Sequence, residues 1–185
     1  MAVRTGSRPP LSSTCNNYCD AVAILPLIKD KEDGTNVLLI KQFRPPTGKP
    51  CYELPAGLVD PDESIETAAL RELLEETGYT GTIRNSSSNN STSSSSSPLL
   101  FASPGMSNET MKLVTVDIDP WNPPENQNPK PNWQDDEFIQ VVQVPVSQLL
   151  TFLHNEYETN GVAIDSRLYS IAYGLHLSSS ISLSS

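Results

Sequence analysis

Basic residues are scarce in this chain. Its 185 residues include only 12 Lys and Arg against 22 Asp and Glu, which gives a net charge of −10 at pH 7. Proteins that bind nucleic acid usually present a basic face, so the composition argues against that class of function. The length suffices for one domain with its own hydrophobic core. We therefore expect a single acidic domain that does not bind nucleic acid.

Cysteine is also rare, with three residues at Cys15, Cys19 and Cys51. A small, odd number does not fit the disulfide framework of small secreted domains. Cys15 and Cys19 have the spacing of half a metal clip, but no second pair of Cys or His completes a zinc site. We expect neither a disulfide framework nor structural zinc.

Long apolar runs are missing as well. No stretch reaches the roughly 20 apolar residues that a transmembrane helix needs. The first residues also lack the apolar core of a secretory signal. These absences predict a cytoplasmic protein without membrane contact, and the nucleus is the alternative location.

Low-complexity segments divide the chain. Residues 1–16 are polar and predict a flexible arm, and residues 179–185 form a serine-rich tail. Every residue from Ser86 to Ser97 is Ser, Asn or Thr. Such a run has nothing to bury in a core, so we predict a disordered insertion, either plain filler or a phosphorylation segment. The folded domain is expected over residues 17–178.

Strand and helix patterns follow one another in the rest of the chain. Ser64 is placed to cap a helix that Gly78 ends, and apolar runs at other positions predict strands. The predicted strands are 20–28, 36–43, a short stretch near 52, 79–83, 111–118 and 138–144, and two further helices are 146–158 and 165–177. This order predicts an α/β fold in which helices cover both faces of a mixed sheet, an α/β/α sandwich.

The most informative stretch is Gly57–Tyr79, here called the box segment, with the sequence GLVDPDESIETAALRELLEETGY. At about 100° per residue, Glu72, Glu75 and Glu76 point to one edge of its helix. Like charges at i, i+4 repel each other, so a compensating cation is expected. Mg²⁺ or Mn²⁺ fits best, because such ions combine one or two carboxylates with water and substrate phosphate.

Two simpler interpretations explain parts of this segment. An acidic helix edge is usually a solvated face, and Glu63 with Arg71 fits an ordinary surface ion pair of small energetic value. Each accounts for one or two residues. Neither accounts for the joint spacing of acidic residues, arginine and glycine from Gly57 to Gly78.

That spacing resembles the Nudix box at every fixed position. The resemblance implies a Nudix fold and Mg²⁺-dependent hydrolysis of a nucleoside diphosphate linked to another moiety, with Mn²⁺ as an alternative metal. Glu72 and Glu76 are implied to be catalytic. Metal ligands are implied at the carbonyl of Ala56 and at Glu72, Glu75 and Glu76. A structural role is implied for Gly57, Glu63, Arg71 and Gly78.

The flanks of the box segment narrow the implied substrate. KQFRPP at 41–46, ELPAGL at 53–58 and SPG at 103–105 are similar to the ADP-sugar pyrophosphatase branch of the family. The resemblance covers roughly residues 20–177 apart from the insertion, and it implies cleavage of ADP-ribose to AMP and ribose 5-phosphate. Substrate contacts are implied at Arg44, Leu58 and Ser103.

The same branch implies a group that activates water. A glutamate on the loop before the penultimate strand takes that role, and the matching residue here is Glu137. Glu137 also fits a solvent-exposed acid at the start of a strand. Arg44 likewise fits a surface arginine beside a proline turn.

One departure from the branch concerns the N-terminal region. Members carry a longer one, which contributes to a homodimer and supplies aromatic side chains around the adenine. Only about twenty residues precede the first predicted strand here, and no Trp precedes Trp121. The adenine contacts are therefore expected to be missing or replaced, and the implied homodimer is in question. Alternatives are a nucleotide-binding form with weak catalysis, a non-catalytic interaction module, and hydrolysis of another nucleoside diphosphate derivative.

Overall fold

A single mixed β-sheet forms the centre of the molecule. The computed structural model describes residues 19–29, 34–85, 95–133 and 138–182. Within these residues the strands are β1 Ala21–Lys29, β2 Thr35–Arg44, β3 Lys49–Glu53, β4 Ala56–Leu58, β5 Thr82–Ile83, β6 Leu100–Phe101, β7 Thr110–Ile118, β8 Ile139–Pro145 and β9 Ala163–Ile164. The helices are α1 Ile65–Thr77, α2 Leu149–Asn160 and α3 Ser166–Ser182. No helix in this part of the chain is long and apolar enough to cross a membrane.

The sheet follows the order β5-β7-β1-β2-β3-β9, with β4 beside β1, β6 beside β7 and β8 beside β2. β1 runs parallel to β7 and antiparallel to β2 and β4. Because β4 pairs with the first half of β1, the chain that leads into α1 is tied to the middle of the sheet.

Alternation along β2 shows which helices cover which face. Leu38 packs in a core cluster with α1, whereas its neighbours Val37 and Leu39 pack in a second cluster with α2 and α3. Successive side chains of a strand point to opposite faces of a sheet, so α1 lies on one face and the other two helices on the opposite one. The predicted mixed sheet between helices is confirmed.

The ends of α1 agree with the sequence prediction. The Ser64 hydroxyl accepts a hydrogen bond from the backbone N–H of Thr67 at 3.1 Å. Gly78 adopts the left-handed conformation, with φ at 75°, and donates its N–H to the carbonyl of Leu74 at 2.8 Å. Short polar residues are common at the position before a helix, because their side chains accept a backbone N–H of the first turn. Glycine is common just after a helix, because it enters the left-handed region without a steric penalty.

The strand predicted at 79–83 is shorter than expected. Only Thr82–Ile83 pairs with β7, because Tyr79 is buried in the core beside α1 and Thr80 binds a side chain instead of a strand. The backbone N–H of Thr80 donates to Asn126 Oδ1 at 2.9 Å. A polar side chain that is 46 positions away in sequence thus replaces the expected strand partner.

Two low-complexity predictions also differ from the structure. Residues 86–94 lie outside the described residues, but Ser96 pairs with Val114 and the Ser97 N–H donates to the Leu113 carbonyl at 2.9 Å. Ser96 and Ser97 of the predicted insertion are therefore ordered, because β7 offers them a strand edge. At the C-terminus, α3 continues through residues 179–182 of the predicted tail.

Two glycines with positive φ differ in the space around them, so substituting each one distinguishes the cost of backbone strain from the cost of steric overlap. Gly78 and Gly161 both have positive φ, at 75° and 64°. A Cβ at Gly78 would lie 2.5 Å from the backbone nitrogen of Lys130, whereas a Cβ at Gly161 meets nothing within 4 Å. We expect Gly161→Ala to lower the free energy of unfolding by about 1–2 kcal/mol, and Gly78→Ala to lower it by roughly 1–3 kcal/mol more because of the added overlap.

Urea unfolding of the two variants beside the unmodified protein measures this difference. Equal losses for both glycines would contradict the close approach of Lys130 to the end of α1.

Candidate active site

Arg71 connects α1 to the loop in front of it. Its Nε and Nη2 donate to the two carboxylate oxygens of Glu63 at 3.0 and 2.9 Å. Nη2 also donates to the carbonyl of Leu58 at 2.9 Å, at the end of β4. The hydrogen bonds from Arg71 hold the pKa of Glu63 below its usual range, and the same bonds raise the pKa of Arg71. The structure thus brings Glu63 and Arg71 together as one bidentate ion pair.

Arg71 also contacts the acidic edge of its own helix. Nη1 donates to Glu72 Oε1 at 2.7 Å and to Glu75 Oε2 at 3.2 Å. The repulsion among the glutamates, which the sequence assigns to an external cation, is therefore partly offset by an arginine of the same helix. Glu75 lies one helical turn after Arg71, a spacing that favours this contact.

The Glu63–Arg71 pair predicts a pH-dependent stability. A carboxyl whose folded pKa is lowered stabilises the fold above its unfolded pKa of about 4.3, and this stabilisation is lost as the pH falls through the folded value. We expect Glu63→Gln to reduce the free energy of unfolding by about 1–2 kcal/mol near pH 7 and by less near pH 3. Urea unfolding at both values measures the difference.

The matched control for this measurement is Glu158→Gln, which changes an exposed carboxylate on α2. It should leave the free energy of unfolding within about 0.5 kcal/mol at both pH values. An equal effect of Glu63→Gln at pH 7 and pH 3 would contradict the ion-pair origin of the stabilisation.

Two carboxylates meet the backbone of Ala56 and Gly57. Oε2 of Glu76, a residue that is only 6% exposed, accepts the N–H of Ala56 at 3.0 Å. A Cβ built on Gly57 would lie 1.9 Å from Cδ and Oε1 of Glu72. The Glu72 carboxylate therefore occupies the space that any other residue at position 57 would fill. The contact of β4 with α1 brings both carboxylates to one dipeptide.

These groups have the donor types of a magnesium site. Carboxylates of Glu72 and Glu76 and a backbone carbonyl at Ala56 are hard oxygen donors, which Mg²⁺ and Mn²⁺ select over nitrogen and sulfur. Within the described residues, no group of three or more His, Cys, Asp and Glu side chains is arranged to hold a metal ion. The carboxylates of Glu72 and Glu75 both accept hydrogen bonds from Arg71.

Arg44 lies in an ion pair in this structure. Its Nε and Nη2 donate to the two oxygens of Glu53 at 2.6 and 2.7 Å, and Glu53 is 6% exposed. These hydrogen bonds raise the pKa of Arg44, and the charge of Glu76 raises it further. Arg44, a predicted substrate-binding residue, therefore lies near the candidate site. Its guanidinium already binds the carboxylate of Glu53.

The other two predicted substrate residues that the structure describes are exposed. The side chain of Leu58 is 48% exposed, directly after Gly57. Ser103 is exposed at the turn after β6, where its carbonyl accepts the N–H groups of Met106 and Ser107 at 2.9 and 2.8 Å. Glu137 lies outside the described residues.

Sequence reasoning missed the charged cluster around Glu53. A hydrogen bond to Asp165 raises the pKa of Arg167 most strongly, and the charge of Glu53 adds to the rise. Burial first and Glu53 second raise the pKa of the Cys51 thiol to about 12, so this thiol is protonated at neutral pH. The sequence did carry a signal: Glu53 stands between the apolar residues Tyr52 and Leu54, both of which are buried, and a carboxylate in such surroundings needs a partner.

The last turn of α1 is held by residues that the sequence did not connect with it. The N–H of Asn132 donates to the Glu75 carbonyl at 2.9 Å. The indole N–H of Trp133 donates to the Glu76 carbonyl at 3.0 Å. No local sequence signal indicates these bonds, because they join residues 57 positions apart.

Similar proteins come from several organisms. An uncharacterized Nudix hydrolase of Schizosaccharomyces pombe is 46% identical over 85% of this chain and 70% of its own length. The ADP-sugar pyrophosphatase of Mus musculus is 38% identical over 94% and 74%. The ADP-ribose pyrophosphatase of Saccharomyces cerevisiae is 40% identical over 84% and 63%. This chain therefore spans roughly two thirds to three quarters of the length of these relatives.

The fold and the family are supported separately. The crystal structure of an ADP compounds hydrolase superposes with a TM-score of 0.56 at 19% identity, covering 85% of this chain and 71% of that one. At that identity the likeness shows the fold alone. The NUDIX domain family model matches residues 17–164, which include the box segment and all the strands described above. The chain belongs to the NUDIX domain family.

Proposed function

We propose that this protein hydrolyses the diphosphate bond of ADP-ribose, or of a related ADP-sugar, to AMP and a sugar phosphate. One water is consumed, and ADP-ribose yields AMP and ribose 5-phosphate. The observation that carries the proposal is the pair of carboxylates, Glu72 and Glu76, at the Ala56–Gly57 backbone. The names of the mouse and budding-yeast relatives support the choice of substrate.

Mg²⁺ is the proposed cofactor, with Mn²⁺ as an alternative. Glu72, Glu75, Glu76 and the Ala56 carbonyl would hold it. A divalent ion there would neutralise charge on the diphosphate and lower the pKa of a water molecule. This cofactor also explains how a chain with a net charge of −10 attracts an anionic substrate, because a bound metal is often the largest local charge.

The residues around the carboxylates have supporting roles. Arg71 holds Glu72 and Glu75 in place and ties α1 to the loop before it. Gly57 leaves the space that the Glu72 carboxylate occupies. Glu137 is proposed, by its place in the sequence, as the group that orients the attacking water and accepts its proton.

Arg44 is proposed to bind a phosphate of the substrate. A guanidinium forms bidentate hydrogen bonds with phosphate as well as with carboxylate. In this structure the Glu53 carboxylate accepts those bidentate hydrogen bonds. Leu58 and Ser103 are proposed to line the same pocket.

The test of the proposed function is an HPLC assay with ADP-ribose as substrate. With millimolar Mg²⁺ we expect AMP to form together with ribose 5-phosphate in equal amounts, and we expect an EDTA-treated sample to form none. AMP formation no faster than in the chelated control would overturn the proposal. The rates of AMP formation from ADP-ribose, ADP-glucose and ADP-mannose at equal concentration show which of these ADP-sugars is the preferred substrate.

A further inference from the structure

Residues 119–133, here called the proline-rich segment, pack across the C-terminal end of α1. Asn126 in this segment is 2% exposed and uses both ends of its amide. Its Nδ2 donates to the carbonyls of Asp119 and Thr80 at 2.8 and 2.9 Å, and its Oδ1 accepts the N–H of Thr80 at 2.9 Å. The proline-rich segment is therefore anchored to the chain that leaves α1.

The same segment supplies hydrogen bonds that α1 cannot make for itself. A helix leaves its last carbonyls without partners inside the helix. In α1 the Leu74 carbonyl accepts the Gly78 N–H, and the carbonyls of residues 75–77 depend on groups outside the helix. Asn132 and the indole of Trp133 donate to the carbonyls of Glu75 and Glu76. The last turn of α1 contains no basic residue that could do so.

Glu76 accepts hydrogen bonds both through its carboxylate and through its backbone carbonyl. Its carboxylate accepts the Ala56 N–H at 3.0 Å, and its backbone carbonyl accepts the Trp133 indole N–H at 3.0 Å. The first bond joins Glu76 to β4 and the second joins it to the proline-rich segment. Removing the second bond takes away the hydrogen bond from the proline-rich segment to the turn that carries Glu75 and Glu76.

We infer that Trp133 is a positioning residue for the candidate metal site, acting through its indole N–H on the last turn of α1. The inference rests on the proposed function, since the position of Glu76 matters most when it binds a metal. Partners of metal ligands commonly change metal affinity or activity by roughly 10–100-fold when they are removed. Trp133 contacts the backbone of Glu76 and not its carboxylate. We therefore expect a change in metal affinity and activity near the lower end of that range, about 10-fold.

A different role for Trp133 makes a different prediction. Its side chain is 44% exposed, and an exposed indole offers a face on which a nucleobase stacks. Stacking requires an aromatic ring, whereas positioning requires the N–H. Trp133→Phe keeps a ring and removes the donor, so it separates the two roles.

The matched control is Trp121→Phe. Trp121 belongs to the same proline-rich segment and is also 44% exposed. It is tied to that segment through its backbone, where its N–H donates to Asp119 and its carbonyl accepts from Gln127. Losing its indole N–H should leave α1 unchanged.

The experiment compares the unmodified protein, Trp133→Phe and Trp121→Phe at a temperature where melting curves show all three folded. Two quantities are measured: kcat and KM for ADP-ribose with Mg²⁺, and the affinity of the free protein for Mn²⁺ from the EPR signal of unbound Mn²⁺. Trp133→Phe should lower kcat by about 10-fold and weaken Mn²⁺ binding by a similar factor, with KM within twofold. Trp121→Phe should match the unmodified protein.

Each other outcome has a defined meaning. If Trp133→Phe matches the control in both kcat and Mn²⁺ affinity, the inference is wrong. If only KM rises, Trp133 acts on the substrate and the inference is also wrong. If the unmodified protein binds Mn²⁺ but forms no AMP, the proposed function fails, and the Mn²⁺ affinity of Trp133→Phe still decides the positioning role.

Discussion

Glu76→Gln is expected to lower kcat for ADP-ribose hydrolysis by at least roughly 10³-fold, the upper end of what loss of one preorganised electrostatic contact costs. The substitution removes the negative charge and keeps the shape of the side chain. The amide oxygen of the new side chain can still accept the N–H of Ala56, which Glu76 accepts at 3.0 Å. The fold should therefore survive while the affinity for Mg²⁺ falls.

The measurement is kcat at saturating ADP-ribose over a range of Mg²⁺ concentrations, beside a urea unfolding curve for each protein. Glu158→Gln on α2 is the control and should keep the activity of the unmodified protein. Activity of Glu76→Gln within a few-fold of the unmodified protein would remove Glu76 from the metal ligands.

Gly57→Ala is expected to have the second-largest effect. Its Cβ would lie 1.9 Å from the carboxylate of Glu72, which is far closer than a carbon atom approaches a non-bonded carbon or oxygen atom. Either Glu72 turns away or the backbone of β4 shifts, and each change separates the carboxylate from the Ala56–Gly57 peptide. We expect kcat to fall by about 10²-fold, comparable to a misplacement of roughly 1 Å in a catalytic group, together with weaker activation by Mg²⁺.

Gly174→Ala is the matched control, because a Cβ at this α3 position meets nothing within 4 Å. It should keep full activity and raise the free energy of unfolding by up to about 1 kcal/mol, since alanine favours a helix over glycine. Kinetics and urea unfolding on both variants measure the comparison. Full activity of Gly57→Ala with an unchanged Mg²⁺ dependence would show that the Glu72 carboxylate moves freely without loss of function.

Local structure around the box segment was predictable from the sequence. Ser64 and Gly78 mark the two ends of α1, and both act there in the structure. These features depend on residues within one or two helical turns of each other. Helical periodicity sets such contacts, so they can be recognised before any tertiary structure is known.

Contacts between distant segments were not predictable in the same way. The Glu76 side chain meets Ala56 across 20 positions, and its carbonyl meets Trp133 across 57. The first depends on the pairing of β4 with β1, and the second on the course of the proline-rich segment. Neither contact can be recognised from the periodicity of a single helix or strand.

Arg44 illustrates how the tertiary structure alters the interpretation of a motif residue. In the sequence it is an arginine that matches a substrate-binding position. In the structure it donates both arms of its guanidinium to Glu53. The partner lies on the neighbouring strand but not opposite Arg44, because Arg44 pairs with Lys49 and Glu53 pairs with Ile40. The strand register alone therefore does not predict this ion pair.

The sequence by itself determined the kind of chemistry that this protein offers, because the spacing of glutamate, arginine and glycine on one amphipathic helix is a local property. It also determined the fold class, because alternating strand and helix patterns are local as well. The tertiary structure alone decided which backbone the carboxylates of Glu72 and Glu76 face and which residues hold the end of α1. Those contacts exist only when β4 and the proline-rich segment pack against the helix, and packing between distant segments depends on the whole chain at once.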